Sequence, residues 1–298
     1  MAAPIERVFV AGAGLMGHGI AQVHAAIGLQ VWLYEPELTR AAAGRDRIAA
    51  NLDRAVAKGR LAQADADATL ARVEPTADLA RVAAADLVIE AVFEDLGVKA
   101  ALWRELDSSA APAAIFASNT SSIAIHRLAE AVSAGRRERF VGMHFFSPVP
   151  VMPLIELIRG RETNDLTEAA IRDLGVALGK QVIVSADRPG FIVNRILMPF
   201  LAEAMRAYSE GLGTADDIDT GARVGLNHPM GPLELADFIG LDVCLNVMRV
   251  LDDGLEGDRF QPPKVLIELV EAGHLGQKTG RGFHTYPRPD RTSAAAVR

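Results

Sequence analysis

The sequence predicts an α/β protein: a doubly wound, Rossmann-type sheet domain followed by an all-helical C-terminal domain. Three observations carry this. From residue 8 to about 185, short β-branched runs alternate with longer alanine-rich helical stretches, the pattern of parallel strands covered by crossover helices. A glycine-rich turn separates the first strand-like run from the first helical one. Beyond Pro189 the strand signal fades and helical spacing takes over.

Taken in order, strands are predicted near Val8–Val10, Val31–Tyr34, Leu87–Val92, Ala114–Ala117, Phe140–Phe145, Leu154–Ile158 and Val182–Val184. A helix, Ala41–Lys58, follows the second strand. Phe140–Ile158 is the longest apolar region, but it holds His144, Pro148, Pro150, Pro153 and Glu156. It therefore reads as two buried strands joined by a proline-stiffened loop, not as a membrane span. Ala186-Asp187-Arg188-Pro189-Gly190 is the predicted linker, giving domains over 1–186 and 187–286. The second domain carries helical spacing at Val193–Tyr208, Ala215–Val224, Leu233–Leu251 and Pro263–Ala272, and Thr214 with Asp217 reads as an N-cap with an acidic first turn. Residues 287–298, polar and proline-rich, are expected to form a loose tail.

Composition narrows the function classes. Half of the 298 residues are hydrophobic and 23% are charged, which is ordinary for a globular protein. A formal net charge of -7 leaves no global positive field, so an anionic ligand must be held by a local device, and neither nucleic acid nor an anionic membrane is an expected partner. The single cysteine, Cys244, allows no intrachain disulfide and no paired-cysteine metal cluster, which suits a cytoplasmic location. The N-terminus lacks the basic start and apolar stretch of a signal peptide.

Gly12-Ala13-Gly14-Leu15-Met16-Gly17 follows a predicted strand and opens a predicted helix, the context a dinucleotide-binding fingerprint needs. Gly12 allows the tight turn, Gly14 lets the backbone approach a pyrophosphate, and Gly17 permits close packing of helix on strand. The amides of the helix start, at Leu15 and Met16, face the anion with the positive dipole end. Glu35 then arrives at the end of the second strand, near the roughly 20-residue offset at which an acid bonds the ribose 2′-hydroxyl. A carboxylate there repels a 2′-phosphate, so NAD is favoured over NADP. The plainer readings are a ligand-free glycine turn and a solvated loop acid.

A hydride leaves an alcohol carbon only as the hydroxyl proton is removed, so an alcohol dehydrogenase without metal needs a side-chain base. No zinc site is expected: there is one Cys, and no closely spaced His pair. Of seven histidines, His144 lies at the carboxyl end of a predicted strand, where ligands of open α/β sheets sit. A lone buried histidine is more often structural. Glu156, an acid flanked by apolar residues in the next predicted strand, can orient the imidazole if the two strands are neighbours.

The string His144-Phe145-Phe146-Ser147-Pro148-Val149-Pro150-Val151-Met152-Pro153-Leu154-Ile155-Glu156 resembles the L-3-hydroxyacyl-CoA dehydrogenase family. The resemblance extends through Ser118-Asn119-Thr120-Ser121-Ser122, Pro189-Gly190-Phe191-Ile192-Val193-Asn194-Arg195, His228-Pro229-Met230-Gly231-Pro232-Leu233-Glu234 and Lys278-Thr279-Gly280-Arg281-Gly282-Phe283. In length and wording it is most similar to the single-unit bacterial 3-hydroxybutyryl-CoA dehydrogenases. The resemblance implies an NAD-dependent oxidation of a short-chain (S)-3-hydroxyacyl-CoA, with His144 as base and Glu156 as its partner. It implies that Ser121 and Asn194 bind the substrate's reacting oxygens, and that Glu94, Lys99 and Asn119 lie in the cofactor site. It further implies that Asn51 and Lys58 contact the CoA nucleotide and that the protein is a homodimer, as the apolar circumference of Leu233–Leu251 also suggests. Unaided, Ser121 reads as a helix cap, Asn194 as a helix-start residue, and Glu94 and Lys99 as a solvated helix start. Arg47, Arg54 and Lys58 share one helical stripe, which reads either as a CoA contact or as a solvated face. Ser147 departs from the family, whose members usually carry Asn there; serine is shorter and has one donor. Two rival readings stand beside this one: a dehydrogenase of a free hydroxy acid, and a non-catalytic NAD-binding relative.

Overall fold

The computed structural model describes residues 4–287, so the tail expected over 287–298 lies outside them apart from Pro287. The chain divides into two compact units that meet between Arg188 and Pro189.

The first unit begins with β1 (Arg7–Ala11), α1 (Leu15–Ala26), β2 (Gln30–Tyr34), α2 (Leu38–Ala57), α3 (Gln63–Ala71) and β3 (Val73–Thr76). It continues through β4 (Leu87–Glu90), α4 (Leu96–Ser109), β5 (Ile115–Ser118), α5 (Ile125–Ala129), α6 (Ala134–Arg137) and β6 (Phe140–Phe145). It closes with β7 (Leu154–Arg159), α7 (Asp165–Ala177) and β8 (Gln181–Ala186). The sheet order is β3-β2-β1-β4-β5-β6-β7-β8. Its buried strands are apolar nearly throughout because helices cover both faces, and Val8, Val10, Leu33, Leu87, Ile89, Val141 and Leu157 form one continuous core.

The structure corrects the sequence-based expectation in three places here. β1 to β6 are mutually parallel, but β7 runs antiparallel to β6, and β8 is parallel to β7. A parallel crossover needs about a dozen residues or more, and the proline-rich connection Phe146–Pro153 is too short for one. The chain must turn back on itself. β3 was not predicted, because Val-Glu-Pro-Thr lacks a strand signature; proline is accepted there because β3 is an edge strand. Asp187, expected in the linker at the start of the second domain, caps α5 instead: its carboxylate accepts from the amides of Ile125 and His126 at 2.7 and 2.8 Å.

The second unit contains α8 (Val193–Ser209), α9 (Ala215–Thr220), α10 (Pro232–Ile239), α11 (Leu241–Gly254) and α12 (Lys264–Glu271). Thr214 and Asp217 form the expected cap, as a reciprocal capping box. The helix predicted over Ala215–Val224 gives way after Thr220 to a π-helical turn, Gly221–Gly225. The single helix predicted over Leu233–Leu251 is two, because Gly240 adopts a φ of 103° and breaks it. The apolar circumference of that stretch is therefore divided between two helices: Leu233, Ala236, Leu241, Cys244 and Met248 enter the core with Met198, Leu201 and Met205. Burial pushes the Cys244 thiol up to about 12, which disfavours the reactive thiolate. After α12 the chain returns to α10, where Asp237, 1% exposed, accepts from the amides of Phe283 and His284 and the hydroxyl of Tyr286. Desolvation still leaves the Asp237 carboxyl above its ordinary value. No helix among the described residues is long and apolar enough to cross a membrane.

Candidate active site

The carboxyl ends of β1, β4, β5 and β6 gather the polar residues of the first unit. At the end of β1, Gly12 has a φ of 103°, and a Cβ there would lie 2.6 Å from the Ala91 carbonyl oxygen. Gly17 packs on the Gly12 carbonyl so closely that any side chain would overlap it, whereas a Cβ on Gly14 would meet nothing within 4 Å. The turn is closed on its protein side and open on the other. No side chain caps α1, so the amides at Leu15 and Met16 remain directed at the space beside Gly14. This cradle fits a dinucleotide pyrophosphate. Glu35 follows β2 and accepts from the Ala13 amide at 2.7 Å, which places the acid against the glycine turn.

Glu90, Glu94 and Lys99 form an ionic cluster beneath this edge. Lys99 is 1% exposed, not solvated as its sequence position suggests, and its ammonium donates to Glu90 at 2.5 Å, Glu94 at 3.1 Å and the Val92 carbonyl at 3.2 Å. Fully buried Glu90 also accepts from the Ser118 hydroxyl and the Val92 amide. Glu94 accepts from the Thr120 and Ser122 hydroxyls at 2.6 and 2.9 Å and from the Ser121 and Ser122 amides at 2.9 and 3.0 Å. Partial burial raises the Glu94 carboxyl, but the Lys99 charge and these donors outweigh it and hold the group below its ordinary value. Thr120, Ser121 and Ser122 therefore wrap a carboxylate and do not cap a helix. The cluster makes Lys99 a buried counter-ion, and Glu90, Ser118 and Thr120 are members that sequence reasoning missed. A signal for Glu90 existed: like Glu156, it is an acid in an otherwise apolar run of a strand.

Asn119 ties two strand ends together. Its amide donates to the Glu90 carbonyl at 2.8 Å, and its side-chain oxygen accepts from the Phe145 amide at 2.9 Å. One residue earlier in β6, His144 stands directly opposite Glu156 of β7. The Nδ1···Oε2 distance is 2.8 Å, with His144 6% exposed and Glu156 fully buried. A carboxylate only accepts, so Nδ1 carries the proton and Nε2 is the basic nitrogen. Ser147 is exposed at the start of the hairpin loop.

The other predicted residues are placed as follows. Asn51, on α2, donates to Gln22 of α1 at 3.2 Å and accepts from Arg54. Lys58 is exposed at the C-terminal end of α2. Of the stripe, Arg54 and Lys58 are exposed, whereas Arg47 is half-buried and reaches the Ala13 carbonyl at 3.5 Å. Asn194 lies in the first turn of α8, in the second unit.

Comparison with known proteins agrees with these features. The family profile for the 3-hydroxyacyl-CoA dehydrogenase NAD binding domain matches residues 7–188, and that for the 3-hydroxyacyl-CoA dehydrogenase C-terminal domain matches 190–286. A 3-hydroxybutyryl-CoA dehydrogenase of Bradyrhizobium diazoefficiens is 48% identical over 96% of this chain and 97% of its own. One from Mycobacterium tuberculosis is 43% identical over 96% of this chain and 100% of its own. The solved structure of (S)-3-hydroxybutyryl-CoA dehydrogenase from Ralstonia eutropha superposes with a TM-score of 0.92 at 44% identity, covering 95% of this chain and 100% of that one. With both halves matched and near full-length similarity, this chain belongs to the 3-hydroxyacyl-CoA dehydrogenase family.

Proposed function

We propose that this protein catalyses the reversible NAD-dependent oxidation of (S)-3-hydroxyacyl-CoA to 3-oxoacyl-CoA, with the short-chain 3-hydroxybutyryl thioester as preferred substrate. The observation that carries this is the buried His144–Glu156 pair at the carboxyl end of β6, in a unit matched by an NAD-binding family profile. NAD, when bound, supplies the hydride acceptor. His144 takes the hydroxyl proton on Nε2 while Nδ1–H stays bonded to Glu156, whose charge stabilises the imidazolium as it forms. In the reverse direction the same nitrogen returns the proton to the developing alkoxide. Ser121 and Asn194 hold the hydroxyl and thioester oxygens as donors. The turn Gly12–Gly17 and Glu35 hold the dinucleotide, with Glu94 and Asn119 bordering its nicotinamide end and Lys99 fixing Glu94. Asn51 and Lys58 meet the CoA nucleotide.

The first unit is thus the cofactor part, and the second the substrate and dimerisation part. A homodimer is supported by apolar side chains that the second unit leaves exposed, among them Leu212 at 81%, Val224 at 80% and Phe238 at 54%. A cytoplasmic setting accords with the single buried cysteine. Consumption of NADH, followed by absorbance with acetoacetyl-CoA and with free acetoacetate, tests the reading. Turnover confined to the thioester supports it; turnover of the free acid alone, or of neither, overturns it.

A further inference from the structure

The loop between the two strands of the proposed catalytic pair has an unusual hydrogen-bond balance. Pro148, Pro150 and Pro153 remove three amide donors between Phe146 and Leu154, yet every residue there keeps its carbonyl. The Pro148 carbonyl is satisfied inside the loop, by the amides of Val151 and Met152 at 2.9 Å each. Three further carbonyls, those of Val149, Met152 and Pro153, receive their donors from one place. Lys180, which precedes β8, is 8% exposed and donates from its ammonium to the Val149 carbonyl at 2.6 Å and the Met152 carbonyl at 2.8 Å. The next amide, Gln181, donates to the Pro153 carbonyl at 2.7 Å.

The same loop is seated on α1. Val149 is 2% exposed, and a Cβ placed on Gly19 would come within 2.9 Å of the Val149 Cβ. Phe145 meets His24 of α1 edge to face, with ring centroids 6.1 Å apart. Lys180 therefore closes a strap that begins two residues after His144 and ends three residues before Glu156, and holds it against the helix that carries the glycine turn.

We propose that Lys180 is a positioning residue for the His144–Glu156 pair. It acts through two loop carbonyls and touches no reacting atom. A lysine is suited to this because one ammonium supplies several donors to carbonyls that converge from different directions. Desolvation lowers its pKa, as expected of a cation held by carbonyl dipoles and not by a carboxylate. Lys180 also lines a cavity of about 700 Å³ bordered by Gln22, Leu52, Leu61 and Arg72, which gives a small amine a route to its position.

This inference rests on the proposed dehydrogenase reading, and the test separates the two. Turnover with acetoacetyl-CoA, NADH affinity by fluorescence titration, and hydrogen exchange at Val151 and Met152 are measured for the wild type, Lys180→Met and Lys180→Ala. In Lys180→Met, kcat should fall at least about tenfold, a part of the roughly 100-fold or more that a well-placed base contributes. KM and NADH affinity should stay within about twofold, a loss confined to the reacting geometry. The two loop amides should exchange at least about tenfold faster, while protection in β1 and β4 is kept. Ethylammonium or propylammonium should restore turnover of Lys180→Ala in a saturable way. An unchanged kcat overturns the inference, as does accelerated exchange throughout the first unit without rescue by amine. If Lys180→Met fails to fold, Lys180→Ala refolded with and without amine decides between the same outcomes. A wild type without activity would sink the dehydrogenase reading, and loop exchange in the variants then still decides whether Lys180 holds the strap.

Discussion

Replacing Lys99 with methionine should destabilise the first unit in a pH-dependent way whose sign the ionic cluster dictates. Lys99 and Glu90 are 1% and 0% exposed and 2.5 Å apart, so the substitution leaves a buried carboxylate facing an apolar chain. Breaking a buried pair by removing one partner costs ~3–5 kcal/mol, which for a unit of this size is a fall in Tm of ~6–20 °C. Glu94 adds the pH dependence. In the wild type its carboxyl is held below the ordinary range, against the opposing effect of burial, with the Lys99 charge as the largest lowering contribution. That stability is present above the ordinary carboxylate pKa and is lost as pH falls through the lower, folded value. Without Lys99 the burial effect dominates, the folded-state pKa rises, and the penalty applies at neutral pH and disappears on protonation. Calorimetry of both proteins should therefore show a larger Tm deficit at about pH 8 than at about pH 5. A deficit below about 2 °C, or one that grows on acidification, would refute the counter-ion role.

His144→Ala should lower turnover by at least about 100-fold with NADH affinity nearly unchanged; a variant with full turnover would remove the imidazole from the mechanism. Glu35→Gln should narrow the preference of kcat/KM for NAD over NADP, since the amide can still accept from Ala13 but no longer repels a 2′-phosphate; a wild type that prefers NADP would contradict the assignment. Lys58→Ala should raise KM for acetoacetyl-CoA several-fold with kcat little changed, and the effect should shrink for an N-acetylcysteamine thioester, so an equal effect on both would make Lys58 a solvated residue. Gly282→Ala should lower the Tm of the second unit by several degrees, because the new methyl would overlap the Asp237 carboxylate that gathers Phe283 and His284; an unchanged Tm would show that the C-terminal loop is not held there.

Much of this was legible in the sequence because the signals are local. The glycine turn is written in consecutive residues, and Thr214 with Asp217 specifies a helix start within one turn. The His144–Glu156 pairing was legible because only a short proline-rich connection separates the two strands. What escaped was decided by contacts distant in sequence. β3 is a strand only because β2 offers it an edge, and Gly240 breaks a helix that apolar periodicity alone would continue. Lys99 looks like a surface residue until Glu90, from the preceding strand, is placed next to it. Lys180 gave no signal, since the carbonyls it serves belong to a loop some thirty residues earlier.

The placing of Pro75 in β3 has a consequence for how copies of this protein can meet. A sheet that does not close has two borders at which a foreign chain could dock in extended conformation and continue the ladder. On the β3 side the border strand has four residues, and the third of them has no amide hydrogen. A polypeptide attempting to add there would find too short a template with a gap in it. Runaway polymerisation by strand addition is thereby discouraged at that border, where Arg45 of α2 also occupies the Val73 carbonyl.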